Sequence, residues 1–357
     1  MTCYKDALEY IKEVPDCDYI IVEITQIYHK NCDIIKLVIK MKNKIFRTLD
    51  EQISILRSKN LTIKDEEATK QILLKENYFF ISGYRHLLMK NYKDKNFIEG
   101  STFEELYAIF NFDRNIRNIC FKHILIIENN IKSIISYELS KKYGFQEKNY
   151  LNPSNYTTEE LKTRQVHDVL NKMRKQMAFN GKKHTATMHY MTNYGYIPMW
   201  ILVKVLSFGL MSEFYCILKQ EDKQEIASLY NMSYENMEVF LYLLANFRNL
   251  CAHEDILYDH RTQRSIPDNV IHKTLNIEQH EGEYIYGKND LFALIIIFKY
   301  MLNEAEFREM IREMSYEIDI LDGKIDTVPV ETILNRIGFP TNWKEIITME
   351  VRSWKIK

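Results

Sequence analysis

The rhythm of hydrophobic and polar positions changes once along the chain. In roughly the first 43 residues the apolar positions come as β-branched runs, Asp18-Tyr-Ile-Ile-Val-Glu-Ile-Thr25 and Asp33-Ile-Ile-Lys-Leu-Val-Ile-Lys40, with a polar stretch around His29 and Cys32 between them. Such side chains fit a pleated surface, so this segment predicts two short strands, read as a hairpin. From Arg47 the period becomes helical. Thr48-Leu-Asp-Glu51 is a capping box, in which hydroxyl and carboxylate each satisfy an orphan amide at a helix start. A second box, Ser101-Thr-Phe-Glu104, opens a helix through Phe103, Leu106, Ile109 and Phe110. A long apolar-periodic stretch over residues 116–139 places Ile119, Ile124, Ile126, Ile127, Ile131, Ile134 and Ile135 on buried faces. Thr157-Thr-Glu-Glu160 predicts a further helix start. Residues 200–209, 237–250 and 291–310 each predict an apolar helix, with Trp200 in the core. No internal repeat of fixed period is evident. The pattern divides the chain into an appendage, 1–43, and one mainly α body, 44–357.

Composition agrees with this picture. Among 357 residues there are only 10 glycines and 6 prolines, too few for the many turns of a β-sandwich. With 46% hydrophobic and 27% charged residues, the chain is too apolar to be a disordered tail. Its six cysteines, Cys3, Cys17, Cys32, Cys120, Cys216 and Cys251, form no C-x-x-C pair and no zinc spacing, which points to a reducing cytoplasm. Residues 1–12 carry acids and no apolar core, so no signal peptide is expected there. The longest apolar run, residues 291–298, is far short of the roughly 18–20 residues of a membrane span.

Lysine plus arginine (48) nearly cancel aspartate plus glutamate (49), so a nucleic-acid partner would need a local basic stripe. Residues 162–184 hold one: Lys162, Arg164, Lys172, Arg174, Lys175, Lys182 and Lys183 stand against the single acid Asp168. The stretch reads either as a solvated helix face or as a phosphate-contacting surface, with Lys172, Arg174, Lys175, Lys182 and Lys183 as RNA-binding candidates.

Phosphate loops, dinucleotide fingerprints, H-E-x-x-H and G-x-S-x-G are all absent, and no metal or cofactor is implied. The stretch that demands a reason is Phe247-Arg248-Asn249-Leu250-Cys251-Ala252-His253-Glu254, which ends the apolar helix. Asn249 and His253 are four apart and share a face, and Arg248 is within reach. Arg and His also complement a helix C-terminus, so the spacing alone has an ordinary explanation. Chemically, His can act as general base or acid near neutrality, and Arg offers a forked donor set to a phosphate. The pair suffices in principle for metal-free RNA cleavage, in which the ribose 2′-hydroxyl attacks phosphorus and Arg stabilises the developing charge. One His serves poorly as both base and acid, a difficulty that two motifs across a dimer axis would resolve.

Arg248-Asn-Leu-Cys-Ala-His253 resembles the R-x4-6-H motif of HEPN ribonucleases. More broadly, residues 44–354 resemble the Abi family of bacterial abortive-infection proteins, of the AbiD/AbiF type. The ordered blocks are Thr48-Leu-Asp-Glu-Gln-Ile-Ser-Ile-Leu56, Asn77-Tyr-Phe-Phe-Ile-Ser-Gly-Tyr84, Thr102-Phe-Glu-Glu-Leu-Tyr107, Phe112-Asp-Arg114, Ile126-Ile-Glu128, Pro198-Met-Trp200, Leu206-Ser-Phe-Gly209, the Phe247 to His253 stretch, Ile337-Gly-Phe-Pro340 and Asn342-Trp-Lys344. The resemblance implies a HEPN-type helical bundle, a homodimer with a composite site, and metal-independent endoribonuclease activity in anti-phage defence. In that reading the partners are an RNA substrate and a small noncoding RNA antitoxin, with no membrane. Arg248, Asn249 and His253 carry over as catalytic, with Glu254, Tyr258 and Arg261 as supporting candidates. The alternatives are a non-catalytic RNA-binding protein and a phage-sensing structural dimer. A second formal match, Arg117-Asn-Ile-Cys-Phe-Lys-His123, departs from the family pattern at His123 and reads as structural. So does the Ser82-Gly-Tyr84 block, whose glycine suits a tight backbone approach; for that block and for Trp200 a base-stacking role is the alternative.

Overall fold

A computed structural model describes residues 19–29 and 32–41 at the level of the backbone, and residues 45–90, 93 and 95–351 in full. The expectations for residues 1–12 and for Cys3 and Cys17 lie outside the described residues. The fold is mainly α. The chain groups into two compact units, Met1–Tyr107 and Ala108–Lys357, a boundary well beyond the change of pattern at residue 43.

In the first unit, strands β1 (Tyr19–His29) and β2 (Cys32–Met41) pair antiparallel from Tyr19 opposite Met41 to His29 opposite Cys32, with one irregularity between Ile21 and Glu23. The predicted capping box at Thr48 is present: the Thr48 hydroxyl accepts from the Glu51 amide, and the Glu51 carboxylate accepts from the Thr48 amide at 2.8 Å. It starts helix α1 (Leu49–Ser58), which pairs with α2 (Glu66–Glu76). The second box falls one residue later than expected, on Thr102 and Glu105. The shift follows from a short parallel bridge between Thr62 and Thr102, which holds Thr102 extended. Tyr84 is core, as the block around it implies, but Gly83 sits at φ −60°, a conformation open to any residue.

Helix α3 (Phe103–Tyr143) merges two predicted helices into one of 41 residues, about 60 Å long. Ile116, Cys120, Ile124, Ile127, Ile131, Ile135 and Leu139 line its buried stripe, while Ile119, Ile126 and Ile134 flank it half-buried. The helix expected at Thr157 starts later, because Glu159, which would lie in its first turn, is held at ψ 123°, outside the helical region. Helix α4 (Thr163–Gly181) follows, then α5 (Thr185–Tyr194) and α6 (Met199–Val205). The single helix predicted for residues 200–209 breaks at Leu206, since Ser207 caps a new one, α7 (Phe208–Cys216). Trp200, expected in the core, is 41% exposed.

Helix α8 (Gln220–Ser228) leads to α9 (Tyr234–Ala252), which packs against α7, α8 and α10 (Leu291–Met301). Residues Leu291 to Phe298 are all buried, the expected fate of a helix apolar all round. The helix predicted over residues 291–310 divides at Asn303, whose capping box with Glu306 starts α11 (Glu304–Asp322). Among the described residues, no helix is long and apolar enough to cross a membrane.

Ahead of α10, the ring of His272 is fully buried against Tyr284, with Nε2 2.8 Å from the Gly287 carbonyl and Nδ1 facing the Asn269 amide. Gly287, at φ +76°, leaves room for the ring, since a Cβ there would lie 3.1 Å from Nε2. Nδ1 accepts from Asn269 and Nε2 donates to Gly287, so the neutral ring is fully used. Burial accordingly lowers the pKa of His272. The unfolded chain then takes up a proton that the folded one refuses, so stability falls as pH drops below about 6.5. Urea unfolding at pH 7.5 and 5.5 should show a smaller loss for His272→Gln than for the parent chain; equal losses would show that His272 is not a source of the slope.

Candidate functional site

The C-terminal half of α9 buries Leu243, Leu244, Phe247, Leu250 and Cys251, which leaves Arg248 half-exposed and Asn249, Ala252 and His253 exposed. The predicted trio therefore shares the open side of one helix end. His253 caps the helix, donating its amide to the Asn249 carbonyl at 3.0 Å. The Glu254 amide then reaches the Cys251 carbonyl and the Asp255 amide the Leu250 carbonyl, a Schellman turn. Such turns usually place glycine at the left-handed position, yet here it is Glu254, at φ +58°.

The chain leaving this turn is gripped by α3. Arg117 donates to the Asp255 carbonyl at 2.7 Å, and the Asp113 carboxylate accepts from the Leu257 amide at 3.2 Å and the Tyr258 amide at 2.9 Å. Asp113 and Arg117 also pair with each other at 3.1 Å, their side chains 4% and 2% exposed. This clasp uses the Arg117 of the second formal motif match. Its His123 is equally internal, packed edge-on against Phe298 with Nδ1 2.9 Å from the Ile119 carbonyl.

Two further charges of α3 meet the motif. Glu128, itself buried, accepts from Arg248 Nε at 3.4 Å and from Lys132 Nζ at 2.7 Å, and Lys132 also donates to the Leu206 carbonyl. The Arg248 guanidinium lies 5.8 Å from the Phe121 ring. Among the described residues only its Nε is hydrogen-bonded. Arg114 approaches Glu254 at 4.0 Å and lies over the Phe110 ring. The sequence leaves open whether Arg114 and Glu128 face this site or form structural ion pairs; Glu128 reaches Arg248 and Arg114 approaches Glu254.

Of the supporting candidates, Glu254 forms the turn. Tyr258 is buried beside the clasp, and Arg261 turns to Asp290 at 3.2 Å, at the head of α10. Cys251, in the middle of the motif, is packed inside, and burial pushes its thiol up to about 12, so it serves as an apolar filler and not as a nucleophile. His260 sits edge-on to Phe247 at 5.1 Å, and burial lowers its pKa. The basic stretch lies on α4 and just beyond it. Lys172 is paired with Glu213 at 2.6 Å, and Arg174 donates to Asn171 and the Leu151 carbonyl. Lys175 and Lys182 are exposed with no ion pair among the described residues, and Lys183 covers the Phe179 ring at 4.1 Å.

Residues 71–259, more than half of the chain, match the model of the family described as Abi-like protein. No curated protein and no solved structure matches.

Removing one partner of a buried, hydrogen-bonded ion pair strands the other charge. Asp113→Ala should therefore cost about 3–5 kcal/mol in urea unfolding; a cost below about 1 kcal/mol would show that the clasp is not structural. Glu254→Gly relieves the left-handed turn and should stabilise the fold by up to about 1 kcal/mol in the same assay. Destabilisation would mean that the Glu254 side chain itself holds the turn.

Proposed function

Because the chain belongs to the Abi-like protein family, we propose that it is a metal-independent endoribonuclease of cytoplasmic, anti-phage abortive-infection defence. The observation that carries this reading is the presence, at one helix end, of exposed His253 and of a half-exposed Arg248 whose guanidinium is hydrogen-bonded through Nε alone among the described residues. In the proposed reaction His253 takes the proton of a ribose 2′-hydroxyl, whose oxygen attacks the adjacent phosphorus. The bond from phosphorus to the 5′-oxygen breaks, leaving a 2′,3′-cyclic phosphate and a 5′-oxygen that needs a proton. Arg248 stabilises the charge on the phosphoryl oxygens, and Asn249 orients His253 or the phosphate. The His253 of a second copy supplies the missing proton, so the working unit is a homodimer. A small noncoding RNA covering this site would hold the enzyme silent.

The test is cleavage of a mixed RNA pool in EDTA by the parent chain, His253→Ala and Arg248→Ala. General acid–base catalysis contributes about 10²–10⁴ in rate, so His253→Ala should lose at least about a hundredfold. Arg248→Ala should be similarly impaired, and EDTA should have no effect. A His253→Ala variant that cuts at the parent rate, or activity lost in EDTA and restored by magnesium, would overturn the proposal. A protein that only binds RNA through these residues would cut in none of the samples.

A further inference from the structure

Between Asp168 and Glu213 the chain has no acidic residue, while it has Lys172, Arg174, Lys175, Lys182, Lys183 and Lys204. In a chain of net charge −1 this is a concentrated positive segment. It folds into α4, α5 and α6, and its surface carries a continuous train of rings. His189 meets Tyr190 at 5.6 Å, Tyr190 meets Tyr194 at 5.3 Å and Tyr194 meets Tyr196 at 6.4 Å. Tyr196 then meets Phe145 at 5.8 Å, and Phe145 meets Trp200 at 5.2 Å. Tyr194 is 57% exposed, Trp200 41% and Phe145 38%.

A fold gains nothing by holding large rings in water, and an exposed aromatic group of this extent marks a binding surface. Its chemistry selects the occupant. Every base has a π-face, so a train of rings accepts successive unpaired bases, and neighbouring cations take the phosphates. Lys204 is one turn beyond Trp200 on α6 and exposed, so it shares the face of that ring. Lys182 and Lys183 are exposed just ahead of α5. The carboxylate of Glu147 accepts from the Ile197 amide at 2.5 Å, so its charge is tied to backbone. We propose that this face of α5 and α6 is a binding platform for single-stranded nucleic acid, with Tyr194 and Trp200 stacking on bases and Lys182, Lys183 and Lys204 contacting phosphates.

The proposal does not depend on cleavage, so the probe is one that 2′-hydroxyl attack cannot cut: a fluorescent 2′-fluoro oligouridine 12-mer, read by anisotropy. Tyr194→Ala/Trp200→Ala should bind it at least about tenfold more weakly with an unchanged salt slope, since stacking is worth that much per base. Lys182→Glu/Lys183→Glu should flatten the salt slope. Tyr194→Phe/Trp200→Phe keeps two π-faces and should bind nearly as the parent does. A duplex of equal length should bind more weakly than the single strand. Trp200 fluorescence, assigned by comparison with Trp200→Phe, should be quenched on titration of the parent chain, a readout that requires no folded alanine variant. The proposal is overturned if the alanine variant binds as the parent does, if the phenylalanine variant loses as much as the alanine one, or if Trp200 fluorescence is unchanged at saturation.

Discussion

The buried pair of Asp113 and Arg117 is the interaction on which the geometry at the end of α9 depends. A charge taken out of water is tolerated only when its partner and its hydrogen bonds are both supplied. Here the carboxylate receives Arg117 and two backbone amides, and the guanidinium reaches the Asp255 carbonyl. Both ends of the pair thus hold the segment that leaves His253. A looser attachment would let that segment fray, and the cap and the left-handed Glu254 would have nothing to fix them.

Arg248 is governed by the same electrostatic logic with a different outcome. Glu128 is shared between Lys132 and Arg248, and it engages Arg248 through Nε alone. The carboxylate meets the guanidinium at Nε, and in the proposed reaction the outer nitrogens take the phosphate. Cys251 and Phe247 fill the space beneath, so the polar trio stands on a closed apolar base. A long helix supplies the clasp residues and Glu128 from one rigid rod, and that rigidity keeps the groups in register.

Local chemistry was legible in the sequence, and long-range pairing was not. The hairpin, the Thr48 box and the apolar helix ending at Arg248, Asn249 and His253 follow from period and cap residues. The errors are of two kinds. Helix starts shift when a residue of the expected first turn is held out of the helical region, as the Thr62 bridge does to Thr102 and as Glu159 shows at ψ 123°. Apolar runs read as single helices divide where Ser207 or Asn303 offers a cap that the hydrophobic period conceals. The clasp joins residues about 140 positions apart, and no spacing rule reaches that far. Trp200 was misplaced because an apolar run does not show which of its rings are left facing water.

In the proposed reaction Arg248 and His253 cleave RNA through its own 2′-hydroxyl. The chemistry of the new RNA ends reports on this directly. Mass spectrometry of a defined oligoribonucleotide cut by the protein in EDTA should find 2′,3′-cyclic phosphate and 5′-hydroxyl ends. Fragments carrying 3′-hydroxyl and 5′-phosphate ends would contradict the account, because they require an attacking water in place of the ribose oxygen.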